Sequence, residues 1–198
     1  MDDQGRFWRG LLGGFPPHGV PFLDQEEPAG PGQPRSLALV LAYDGLGFDG
    51  WQAQPSGRTV QVEVEKALGR LCGHPLRILA SGRTDAGVHA LGQVASFATH
   101  GRLGLKEMAR GLRALLPPDI HLRALGAVPA GFHARYSARA KTYDYYLWPQ
   151  AGPALFVRGR LWSYPRPLDQ QAVRRALELL PGPRDLKALS TQGGEALG

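Results

Sequence analysis

Residues 81–93 read SGRTDAGVHALGQ, and within them one acid, Asp85, stands two positions after one base, Arg83. A carboxylate can act as a nucleophile or a general base, and a guanidinium a few ångströms away favours its charged form. Ser81-Gly82 and Gly87 permit backbone turns that bulkier residues resist. Short apolar runs flank the stretch, LRILA (76–80) before it and QVASFAT (93–99) after it. The segment therefore reads as a loop presented by two strands, the usual place for chemistry on a rigid scaffold. A polar turn with a self-satisfied Asp has the same local pattern, so the rest of the chain must decide.

The elements that would carry this loop begin at Leu37. LALVLAY (37–43) is a continuous apolar run of strand length. Thr59 can cap a helix in which Val60, Val64, Ala67, Leu68 and Leu71 recur at helical spacing, and Gly73 and Pro75 end it. LRILA and QVASFAT are strand candidates. Leu105, Met108, Ala109, Leu112, Leu115 and Leu116 form a second helical stripe, stopped by Pro117-Pro118. IHLRALGAV (120–128) alternates like a strand. The order is β-α-β-β-α-β, an α+β unit of the ferredoxin-like type with helices on one face of an antiparallel sheet. RNA-recognition domains use the open face of that architecture.

A second α+β unit is expected from Gly131. SARAKTYDYYLW (137–148) reads as a strand, and LDQQAVRRALELL (168–180) as a helix capped by Asp169 with Val173, Ala176, Leu177 and Leu180 inward. One strand and one helix give that apolar face too little cover, so the chain reads as holding only part of this unit. The expected organisation is thus an extension over 1–34, a first domain over 35–130 and a partial second domain over 131–198. Thirteen of the first 34 residues are Gly or Pro, a composition that buries little and reads as disordered.

Charge narrows the partners. The net charge is +6, and residues 1–34 hold two Arg against five Asp/Glu, leaving +9 on residues 35–198. Between 100 and 146, eight Lys/Arg and three Asp/Glu are interleaved with Phe132, Tyr136, Tyr143, Tyr145 and Tyr146. Basic groups neutralise phosphates and aromatic faces stack on bases, so this mixture suits looped RNA better than a membrane; a merely solvated basic face remains the alternative. No apolar run approaches the roughly 18 residues of a membrane span. Cys72 is the single cysteine, which excludes an internal disulfide and a cysteine zinc site and fits a reducing cytoplasm. The six His have no metal-ligand spacing, and the acidic, proline-interrupted N-terminus lacks a secretion pattern.

GLGFDG (45–50) matches the G-x-G-x-x-G of dinucleotide loops and follows a strand. The next residues are WQAQPSG, where Pro55 and Gly57 break the helix whose N-terminus should hold a pyrophosphate. Nicotinamide and flavin binding are therefore not expected.

YDGLGFDGWQAQ (43–54), TVQVEVEKAL (59–68), GRTDAGVHALGQV (82–94), FHARYSARAKTYDY (132–145) and the run from Pro167 to Asp185 together resemble the tRNA pseudouridine synthase A family, in the family's order. The resemblance implies isomerisation of uridine to pseudouridine at positions 38 to 40 of the tRNA anticodon stem-loop, by a cytoplasmic homodimer without cofactor or metal. It assigns the catalytic aspartate to Asp85. It places Arg83 on the extruded nucleotide and on Asp85, and Tyr143 in a stack against the uracil. Read from the residues alone, Arg83 could instead brace the loop and Tyr143 could belong to the core. His89, His133 and Arg135 lie in matching blocks as RNA contacts or loop braces, and Asp44 and Trp51 as loop-ordering residues. The family also continues past this chain's last residue with an arginine that completes its site. Two functional classes are open: an isomerase, or a non-catalytic RNA-binding or dimerisation remnant. The intact GRTDAGVHA favours descent from an active enzyme.

Overall fold

LALVLAY becomes the middle of β1 (Arg35–Tyr43), which pairs antiparallel with β3 (Ala90–Thr99) on one side and β4 (Ile120–Ala127) on the other. β2 (Leu79–Ala80) adds to the outer edge of β3, giving the order β2-β3-β1-β4. The computed structural model describes residues 33–149, 155–157, 159–180 and 182. The extension expected over 1–34 therefore lies almost wholly outside the described residues, as does the stretch beyond Gly182. Two compact units divide between Tyr143 and Asp144.

In the first unit, α1 (Val60–Cys72) and α2 (Leu105–Leu115) connect the strands, as the periodicity predicts. Thr59 caps α1 by accepting the Val62 N–H, and Gly73 ends it in the left-handed conformation at φ 74°. Val60, Val64 and Leu68 of α1, with Met108 and Leu112 of α2, are fully buried against Leu37, Leu39 and Leu41. This is the ferredoxin-like arrangement, with β3 inserted between β1 and β2.

The other sheet face is not left open at its centre. Ala38 and Val40 are as deeply buried as Leu37, Leu39 and Leu41. Ser96, opposite Ala38, accepts the Ala134 N–H at 3.1 Å, and Ala134 is itself buried. The stretch after β4 thus returns over the face that an RNA-recognition domain would expose.

β2 is shorter than LRILA predicts. Ile78 sits in the core, but its N–H donates to Glu65 Oε1 of α1 at 2.9 Å instead of joining the ladder. Two bulges lie at one level of the sheet. One falls in β3, where Leu41 faces Gln93 and Tyr43 faces Ala90; the other falls in β4, where Val40 faces Ala124 and Leu41 faces Leu122. Arg123, in the second bulge, donates to the Leu91 carbonyl in the first at 2.8 Å. Bulges bend a strand and re-aim the residues beyond it, and here both fall just before Tyr43 in the register of β1.

The second unit departs further from expectation. Of the strand predicted over 137–148, only β5 (Leu147–Trp148) forms, paired in parallel with β6 (Trp162–Ser163). A strand needs a ladder partner, and among the described residues no other segment supplies one. α3 (Gln170–Glu178) is capped by Asp169, which accepts the Ala172 N–H at 2.9 Å. Val173, Ala176, Leu177 and Leu180 are all exposed, because no described element covers them.

Candidate active site

The residues between β1 and α1 form a braced platform. Asp44 accepts the Leu46 N–H and starts a 3-10 turn over Gly45–Gly47, while its own N–H donates to the Asp119 carbonyl at 3.0 Å. Arg58 closes the far end with a two-pronged ion pair to Asp119, at 2.5 and 3.0 Å, and lies 4.2 Å over the Phe48 ring. The Asp119 carboxylate pushes the pKa of Arg58 further above its ordinary value. Asp49 and Arg58 exchange two more hydrogen bonds, at 2.8 and 3.0 Å. The platform is therefore bolted to the start of β4.

This platform carries the Asp85 loop. Trp51 N–H donates to the Thr84 carbonyl at 2.9 Å, and Gly87 N–H donates to the Phe48 carbonyl at 3.2 Å. Gly45 N–H donates to His89 Nδ1 at 3.2 Å, and the same nitrogen lies 3.2 Å from Asp44 Oδ1. Nδ1 accepts the Gly45 N–H when it carries no proton and donates to Asp44 when it carries one; it cannot do both at once. The glycines of GLGFDG allow the close approach. A Cβ on Gly45 would overlap the Val88 carbonyl, and one on Gly50 would stand 2.7 Å from the Thr84 oxygen. Their fit is to a neighbouring loop.

Thr84 is the inward residue of that loop. Its hydroxyl lies 2.9 Å from the hydroxyl of Tyr43, whose ring is buried beside Trp51 at 6.1 Å. Burial pushes the Tyr43 pKa from 10.0 up to about 12, the Thr84 hydrogen bond partly offsetting the shift. Between pH 10 and 12 the folded chain holds a proton that the unfolded chain releases, so folding stability falls as pH rises through that window. The total is about 2–3 kcal/mol. Tyr43→Phe should cost about 1 kcal/mol at pH 7 through the lost hydrogen bond. In denaturant titrations at pH 7 and pH 11.5, that deficit should shrink and then reverse. An equal deficit at both would show that the phenol titrates normally.

The tRNA pseudouridine synthase family model matches residues 39–137, half of the chain, and spans both loops and the strands that carry them. The chain belongs to the tRNA pseudouridine synthase family. It is 47% identical to the tRNA pseudouridine synthase A of Gloeobacter violaceus over 163 residues, 82% of this chain and 54% of that protein. The enzyme of the same name from Caldicellulosiruptor bescii is 38% identical over 162 residues, covering 82% and 66%. That from Geobacter sulfurreducens is 43% identical over 159 residues, covering 80% and 65%. The chain thus spans about half to two-thirds of the length of these relatives.

Within this family member, Arg83 and Asp85 flank the inward Thr84 and are both exposed. They form no ion pair with each other, and neither side chain has a partner among the described residues. A solvated pair gains only about 0–1 kcal/mol, too little to order both side chains. Tyr143 is 65% exposed and not in the core. Its segment runs beside the loop, since Lys141 lies against Gly82. Gln93 secures Gly82 from the other side, donating to its carbonyl at 2.6 Å. Trp51 is buried, and His133 braces its own turn by accepting the Arg135 N–H at 3.1 Å. Its ring packs on Tyr136, whose other neighbour is the Arg135 guanidinium. Tyr43, Thr84, Arg58 and Asp119 do not emerge from sequence reasoning, since their partners are 41 and 61 positions away. No group of His, Cys, Asp or Glu able to hold a metal ion occurs among the described residues.

Proposed function

We propose that this chain is the Asp85-bearing part of a tRNA pseudouridine synthase that isomerises uridine at positions 38 to 40 of the anticodon stem-loop. The observation that carries the reading is an exposed carboxylate on a loop held from below by the platform, within the span matched to the family. The reaction breaks the N1–C1′ bond, rotates the freed uracil and rejoins it through C5. Asp85 acts at the ribose, either by adding to C1′ or by taking the C2′ proton, and both routes need a bare carboxylate facing the substrate. Tyr143 stacks on the uracil once it leaves the helix, and Arg83 occupies the space it vacates. The basic, aromatic-rich stretch through residue 146 holds the RNA backbone. Residues 35–130 form the catalytic domain, and 131–198 belong to a partial second domain. The enzyme acts in the cytoplasm, where its tRNA substrate is processed, as a homodimer that needs neither metal nor cofactor.

The test is chemical mapping of pseudouridine in a tRNA transcript incubated with the full-length protein. New pseudouridine at 38 to 40 is the expected result, and an unmodified anticodon arm would contradict the proposal. Arg83→Ala should lower the single-turnover rate about 10²-fold, the usual loss for one positioned electrostatic group. tRNA affinity should fall by only a few-fold. The melting temperature should hold, because Arg83 is exposed and unengaged among the described residues. A lowered melting temperature with a normal rate per folded molecule would make Arg83 a strut.

A further inference from the structure

We propose that Tyr43 is a positioning residue for Asp85, acting through the hydroxyl of Thr84. The inference rests on the reading of Asp85 as the catalytic group. Tyr43 is the last residue of the central strand, opposite Ala90 on one side and Ile120 on the other, just past the two bulges. The strand is better fixed there than any loop residue can be. A phenylalanine would fill the same apolar space without a hydroxyl to desolvate, and a buried hydroxyl costs stability unless it is paired. The Tyr43 hydroxyl has one partner among the described residues, Thr84 Oγ1.

Thr84 is therefore gripped twice. Tyr43 holds its side chain at 2.9 Å, and Trp51 N–H holds its carbonyl at 2.9 Å. Those two holders pack on each other. The Thr84 carbonyl belongs to the peptide that leads directly into Asp85. Asp85 makes one further contact of its own, its carbonyl accepting Val88 N–H at 3.2 Å, and its carboxylate has no partner among the described residues. The direction of that carboxylate is consequently set by the backbone it leaves, and that backbone is set by Thr84. An exposed catalytic side chain needs such support, because a misplacement of about 1 Å can cost about 10²-fold in rate.

Four variants and two readouts test this. Tyr43→Phe and Thr84→Val each remove one hydroxyl with little change in volume, Tyr43→Phe/Thr84→Val removes both, and Thr84→Ser restores the hydroxyl. Single-turnover pseudouridine formation should fall about 10-fold to 100-fold in either single variant, with tRNA affinity unchanged. The double variant should be no slower than the singles, because both remove one shared bond. Thr84→Ser should stay close to wild type. Amide hydrogen exchange reads the loop without reference to activity. In Tyr43→Phe, the Trp51 and Gly87 amides should exchange at least about 10-fold faster, with Leu39 and Val40 unchanged. Wild-type rates in both single variants, or wild-type exchange at Trp51 and Gly87, would overturn the proposal. If the full-length wild-type protein makes no pseudouridine, the catalytic reading of Asp85 fails, and the exchange result alone decides whether Tyr43 orders the loop.

Discussion

Gly50→Ala should lose about 2–4 kcal/mol of stability and roughly 10² in the rate of pseudouridine formation. Two independent costs meet at this position. Gly50 has φ +90°, where any Cβ strains the backbone, and that Cβ would stand 2.7 Å from the Thr84 oxygen, 3.2 Å from the Asp85 carbonyl carbon and 3.3 Å from the Ala86 nitrogen. All three neighbours are main chain, so no rotamer change relieves the overlap. The Asp85 loop must move away by several tenths of an ångström, and Trp51 N–H to Thr84 O is the first bond stretched. Gly73→Ala is the matched control. Gly73 has φ +74° with nothing within 4 Å, so it should cost only the backbone strain, about 1 kcal/mol, and leave the rate unchanged. Chemical denaturation beside single-turnover kinetics separates the two. Equal activity in both variants would mean that the platform does not position the loop.

Asp85→Asn should reduce pseudouridine formation by at least about 10³-fold while leaving the fold and tRNA binding intact. Amide and carboxylate have the same size, and Asp85 is exposed with no side-chain partner among the described residues, so stability should change little. Only the carboxylate can add to C1′ or accept the C2′ proton. Removing a negative charge from a surface that meets phosphates should leave tRNA affinity unchanged or slightly tighter. Filter binding and circular dichroism check those two points. A variant that binds poorly or melts early would assign Asp85 a structural role.

The parts of the molecule that were legible in the sequence are those set by local chemistry. Thr59 and Gly73 bound α1 because a hydroxyl cap and a left-handed glycine act within a few residues. The buried stripe through Val60, Val64 and Leu68 comes from helical period alone. The features that escaped depend on neighbours distant in the chain. LRILA has the composition of a strand, but Glu65 takes the Ile78 N–H and leaves two residues for the sheet. IHLRALGAV reads as one alternating strand, and only the pairing with β1 reveals Arg123 as a bulge. KTYDYY carries strand-forming residues whose ladder partner is not found among the described residues. The face of α3 around Leu177 failed as an inward stripe for the same reason. At the site, SGRTDAGVHALGQ disclosed where the acid lies and that glycines shape its loop. It did not disclose Tyr43, because no periodicity links two hydroxyls 41 residues apart. GLGFDG was separated from a nucleotide loop by Pro55 and Gly57, yet its actual fit against Val88 and Thr84 needed coordinates.

The central claim is that Asp85 initiates the exchange of the glycosidic bond from N1 to C5. The most direct measurement is single-turnover release of tritium from C5-labelled uridine in tRNA, because the C5 proton is lost only when the new carbon–carbon bond forms. The full-length wild-type protein should release label in proportion to the pseudouridine formed, and Asp85→Asn in the same full-length protein, at matched tRNA occupancy, should release none above background. Label released by Asp85→Asn at the wild-type rate would contradict the account and move the chemistry to another residue.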